Sequence, residues 1–132
     1  MAGVASGDDE PDSIDEFELY GTSSPTSNEV STAINKLDRS NPDKYLVVWS
    51  GSNHMDYDTA YYVKEIGFGS GGAPNIKVES NRGGRYTIDS NPSGKPKVVR
   101  QSDEYEERLS EVKIYSLEFE WAHWIKTRLG LE

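Results

Sequence analysis

From Lys44 onward the chain is a succession of short runs rich in Val, Ile, Tyr and Trp, each bounded by Gly, Asn, Pro or Ser. Strands recurring at roughly ten-residue spacing between turn signals are the pattern of small β-sandwiches and barrels. Tyr45-Leu46-Val47-Val48-Trp49 is nearly continuous in apolar character, which predicts a central strand covered on both faces. Positions 51–58 read as a loop, 60–66 as the next strand and 67–74 as a flexible connection. Over 75–89 the pattern is a hairpin: Ile76 and Val78 alternate with Lys77 and Glu79, and Tyr86 and Ile88 with Arg85, Thr87 and Asp89. The Asn81-Arg82-Gly83-Gly84 turn between them supplies residues that accept positive φ. A second turn at 91–94 leads to a run at 97–100, a polar loop spans 101–110, and 111–119 alternates as a sixth strand. No internal repeat is present.

Two helices are predicted beside the strands. Val30, Ala33, Ile34 and Leu37 stand at i, i+3, i+4 and i+7, one apolar face of a helix over 26–39. Ser24 or Ser27 is its expected N-cap, with Pro25 at a first-turn position, and Asn41-Pro42 ends it. Near the C-terminus, Leu117, Trp121, Trp124 and Ile125 suit a helical face. Acids stand early there, bases late, and Gly130 is placed as C′ residue. A period of two also runs through Tyr115, Leu117, Phe119 and Trp121, so the division adopted is strand to 119 and helix beyond. The fold class expected is α+β: a small antiparallel sheet or partly open barrel of about five to six strands, with one N-terminal and one C-terminal helix.

Charge is unevenly placed. The first thirty residues hold Asp8, Asp9, Glu10, Asp12, Asp15, Glu16, Glu18 and Glu29 without one Lys or Arg, whereas the rest of the chain is nearly balanced. This gives a division into a disordered acidic tail, 1–24, and a single β-rich α+β domain, 25–132. Within the tail, Ile14, Phe17, Leu19 and Tyr20 form a short apolar phrase suited to docking on a partner. Only 34% of residues are apolar, so the core is expected to lean on the eight Tyr, three Trp and three Phe. The chain has no Cys, no secretory leader pattern and no apolar run of membrane-spanning length. It is therefore read as a soluble, cytoplasmic protein. The acid excess also fits a high-salt cytoplasm, where net charge maintains solubility.

No motif names a reaction, and no cofactor, metal or catalytic residue is expected. Gly67, Gly69 and Gly72 satisfy a GxGxxG spacing, but a β-like run follows where a phosphate-binding helix is required. His54, Asp56 and Asp58 lie close in sequence on a stretch with a loop's composition, and His123 sits among Trp residues. No Ser occupies a Gly-x-Ser-x-Gly elbow.

The function expected is that of a small non-catalytic binding module, a protein–protein interaction or assembly component with an acidic N-terminal tail. Its candidate partner contacts are Phe17, Leu19, Tyr20, Tyr57, Tyr61, Tyr62 and Phe68, because aromatic anchors bury large area at little entropic cost. The alternative is a nucleic-acid-binding domain using Lys77, Arg82, Arg85, Lys95, Lys97 and Arg100 of the 77–100 hairpin region, with the tail as a competitor in cis. Against that alternative, seven acids between 101 and 120 are positioned to neutralise a neighbouring basic ribbon.

Overall fold

The computed structural model describes residues 10–53 and 60–131. Within them, seven strands form one antiparallel sheet: β1 (Glu18–Ser23), β2 (Tyr45–Gly51), β3 (Ala60–Phe68), β4 (Pro74–Ser80), β5 (Arg85–Asp89), β6 (Lys97–Arg100) and β7 (Glu106–Ser116). Helix α1 (Ser27–Asn35) lies between β1 and β2, and α2 (Ala122–Arg128) follows β7. Strands β2 to β7 run in a meander, and β7 returns to β2, so six of them close into a barrel.

The extra strand exists because β7 is long enough to have three neighbours. One edge pairs with β2 from Tyr45↔Ser116 to Gly51↔Leu109. The other edge pairs first with β6, through Lys97↔Arg108, Val98↔Glu107 and Val99↔Glu106, then with β1 from Ser23↔Glu111 to Glu18↔Tyr115. Closure removes the other free edges, leaving β1 as the terminal strand of the sheet.

Alternation along the strands sends Val47, Trp49, Tyr61, Val63, Ile76, Val78, Ile88, Val98, Val112 and Ile114 inward. A register shift between Val63 and Glu65 lets Lys64 and Glu65 both face solvent and returns Ile66 to the core. Trp49, Tyr61 and Tyr86 meet at centroid distances of 4.9–5.5 Å and fill the middle of the barrel. Val30, Ala33, Ile34 and Leu37 join that core from α1, as their spacing requires. A second apolar cluster lies outside the wall, where Leu46 and Ala60 are covered by Trp121, Trp124, Ile125 and Leu131. The α+β class stands, and the barrel is closed.

Residues 10–24 differ from the expected disordered tail; residues 1–9 lie outside the described residues. Ile14–Phe17 forms a 3-10 turn with a Ser13–Glu16 capping box, and Glu18–Ser23 is β1. The order comes from tertiary burial: Ile14 and Phe17 pack on the outer cluster, with Phe17 edge-on to Trp124 at 6.0 Å. The β7 ladder satisfies the backbone that follows.

Other boundaries shift for local reasons. Thr26, rather than Ser24 or Ser27, caps α1: its Oγ1 accepts from Glu29 N–H at 3.1 Å while Glu29 Oε1 accepts from Thr26 N–H at 2.8 Å. Pro25 consequently precedes the cap. Positions 106–110 of the expected polar loop belong to β7, held by pairing with β6 although only Leu109 supplies an apolar side chain. Glu107 is buried there and accepts the Asn53 N–H at 3.2 Å. Gly130 is the C′ residue of α2 with φ 83°, and Leu131 N–H closes back on Lys126 O at 2.8 Å. Among the described residues no helix is long and apolar enough to cross a membrane.

Candidate docking groove

Packed side chains occupy the barrel interior, with Trp49, Tyr61 and Ile88 at most 1% exposed, so binding surfaces belong outside it. An apolar hollow lies between β1 and α1. It measures about 470 Å³ and is lined by Leu19, Tyr20, Ala33, Leu37 and Tyr45, with Asn28, Glu29, Thr32 and Lys36 at its polar positions. Leu19, Lys36 and Tyr45 also border a hollow of about 800 Å³ that reaches Leu117, Phe119 and Ala122. Glu118 then joins this to a third hollow, where Glu10, Asp12, Glu16 and Glu120 surround Phe17 and Trp121.

The β1 bulge creates the first part of the groove. Pairing slips between Glu18 and Tyr20, so Leu19 is thrown outward and is 54% exposed. Tyr20 turns inward against the barrel core, its hydroxyl buried without a hydrogen-bond partner. Burial, and then the nearby Glu29 carboxylate, raise its pKa above the ordinary phenol value. Tyr115 on the neighbouring strand is raised by burial and by Glu18, Asp15 and Glu111, which marks how acidic this side of the wall is. Tyr45 is fixed through its hydroxyl, which accepts the Asp38 N–H at 2.8 Å. Phe119, in the 3-10 turn entering α2, is 96% exposed.

The predicted partner contacts separate. Leu19 and Tyr20 line the groove, and Phe17 belongs to the outer cluster and the acidic hollow. Tyr61 points into the barrel at 1% exposure and is not a surface anchor, because β3 alternation alternates burial within the Tyr61-Tyr62 pair. Tyr62 lies on the outer face, with Lys64 and Lys126 ammoniums 5.5 and 5.7 Å from its ring. Phe68 is exposed at the far end of β3, under the Arg39 guanidinium at 4.2 Å. Tyr57, His54, Asp56 and Asp58 lie outside the described residues, and His123 is exposed on α2.

The hairpin cations lie beside acids. Lys77 pairs with Glu65 at 3.8 Å, Arg85 with Glu79 at 3.5 Å, Lys97 with Glu106 at 3.2 Å and Arg100 with Asp103 at 2.8 Å. Arg82 and Lys95 are exposed, and among the described residues their side chains carry no ion pair. Sequence reading missed the exposed Phe119, and the largely buried Leu37 and Tyr45 as groove lining. Phe119 carried a faint signal, an aromatic between two glutamates where strand and helix patterns overlap. Comparison with protein-family models, curated proteins and solved structures found no significant match to this chain.

Proposed function

We propose that this protein is a non-catalytic protein-binding module whose docking surface is the groove from β1 and α1 to Phe119. The observation that carries the reading is the exposure of Leu19 and Phe119 along two adjoining hollows that share Leu19, Lys36 and Tyr45, on a barrel whose interior is already full. Exposed apolar groups rimmed by polar ones are how binding surfaces differ from ordinary solvated walls. The hairpin supports a nucleic-acid reading less well, because four of its six cations stand beside a carboxylate. The test is selection of a random peptide display library on the immobilised protein. Selected peptides should lose about tenfold or more in affinity on Leu19→Asp or Phe119→Asp. Failure to select any peptide, or peptides indifferent to both substitutions, would overturn the proposal.

A further inference from the structure

Strand β1 has a second, unpaired edge, and the ladder reveals which of its backbone groups face outward. Leu117 N–H donates to Lys44 O at 2.7 Å, in the same register as Tyr45↔Ser116 through Ser50↔Glu111. Hydrogen-bonded pairs alternate in an antiparallel ladder, so residues 111, 113 and 115 of β7 bond to β2. Residues 110, 112 and 114 are then left for β1. The Ser24 N–H to Ser110 O bond, 2.7 Å, agrees independently. Tyr20 and Thr22 therefore bond to β7, and the N–H and C=O groups of Gly21 and Ser23 point away from it. Among the described residues no other strand takes them up, and the Ser23 C=O accepts only the Thr22 hydroxyl, at 3.3 Å.

The charge around this edge selects the occupant. Asp15, Glu18 and Glu111 stand at β1 and carry no ion pair among the described residues, and Lys113, opposite Gly21, is the lysine that β7 sets among them. Glu118 links the groove to Glu10, Asp12, Glu16 and Glu120, of which Glu10 is paired with Arg128 at 3.9 Å; of the groove's two lysines Lys44 is likewise paired, with Asp38 at 3.4 Å. A second copy of this chain would bring the same acids face to face, an arrangement that like charge disfavours. A partner carrying Lys or Arg gains from those that carry no ion pair.

We infer that the groove takes an extended basic segment of another protein, which adds as a strand to the free edge of β1 and seats an apolar side chain between Leu19 and α1. This rests on the docking reading above and specifies its ligand. Main-chain bonds to Gly21 and Ser23 supply part of the affinity, the hollow accepts alternate side chains, and the acids set the sign of the partner.

The same peptide selection tests it, with added arms. Selected sequences should be enriched in Lys and Arg, and their binding should weaken steadily from 50 mM to 500 mM salt, as screening over about 8–10 Å requires. N-methylation at alternate peptide positions should weaken binding about tenfold or more, with the intervening positions tolerant. Gly21→Pro removes an outward N–H but also sets a Cβ 2.9 Å from Glu18 Oε2 and 3.1 Å from Lys113 Cγ. Gly21→Ala, which adds the same Cβ and keeps the N–H, is its control: the proline variant should bind at least about tenfold more weakly than the alanine variant. In the complex, Gly21 and Ser23 amides should gain protection from exchange. Peptides that depend on Leu19 but are neutral or acidic, or that tolerate N-methylation, would overturn the basic strand and leave the groove reading standing. Dimerisation through β1, seen as concentration-dependent mass lost on Gly21→Pro, would overturn it in favour of a second copy. Indifference to Leu19 and Phe119 would overturn both readings.

Discussion

The β4–β6 hairpin region and the β1–α1 groove carry opposite charge in sequence, yet the barrel treats them differently. In the hairpin region, Lys77, Arg85, Lys97 and Arg100 each stand within 4 Å of a carboxylate from a neighbouring strand or turn. Along β1, Asp15, Glu18 and Glu111 carry no ion pair among the described residues, and the strand keeps a free edge. Charge counted along a chain is not charge presented by a surface. Pairing across strands neutralised the basic run, whereas β1 sits at the end of the sheet, where its one neighbour β7 sets a single lysine, Lys113, opposite Gly21.

The contrast breaks most directly under charge reversal. Leu19→Asp should weaken selected peptides about tenfold or more, while the double substitution Arg82→Glu and Arg85→Glu should change their affinity less than about twofold by titration calorimetry. Equal losses would erase the distinction between the two faces. An electrophoretic shift at two salt concentrations supplies the converse: duplex or single-stranded oligonucleotides bound by the parent and released by the double reversal would restore function to the hairpin.

The groove depends on α1 as its wall, and α1 depends on its cap. Thr26→Ala should cost about 1 kcal/mol in urea unfolding by removing the acceptor for Glu29 N–H. Breaking the Lys97–Glu106 pair by Lys97→Met should cost less than about 1 kcal/mol, because both partners are solvent-exposed in part. A larger loss would mean that the hairpin's charge pairing is structural rather than merely neutralising.

The smallest effect concerns Asp103. Its two oxygens accept from Arg100 at 3.0 and 2.8 Å, and its backbone partner is the Tyr105 N–H at 3.2 Å; together they hold its pKa at about 2. Because the folded value lies below the ordinary carboxyl value of 3.8, its contribution to stability is present above that value and is lost as pH falls through about 2. Carboxyl NMR should place its midpoint near 2 in the parent, and Arg100→Gln should move it upward. An unchanged midpoint would show that the ion pair does not form in solution.

The strands of the barrel were readable where the chain alternates cleanly. Ile76, Val78, Tyr86 and Ile88 announce β4 and β5, and the Gly83 turn between them has φ 92° as such a turn demands. Elements with weak patterns of their own were not readable. The start of β7 gains its strand from β6, and the phrase around Phe17 gains its order from Trp124 and its neighbours. Of the groove, Leu19 and Tyr20 were legible as apolar residues in an acidic setting, but the bulge that turns them to opposite sides has no sequence signal.

Composition and periodicity by themselves determined an aromatic-rich antiparallel domain with two amphipathic helices, since local alternation decides which face each side chain occupies. Closure of the barrel, the attachment of β1 and the exposure of its edge were decided only in three dimensions. They depend on which distant strands satisfy each other's backbone groups, and among the described residues β7 alone is long enough to meet three.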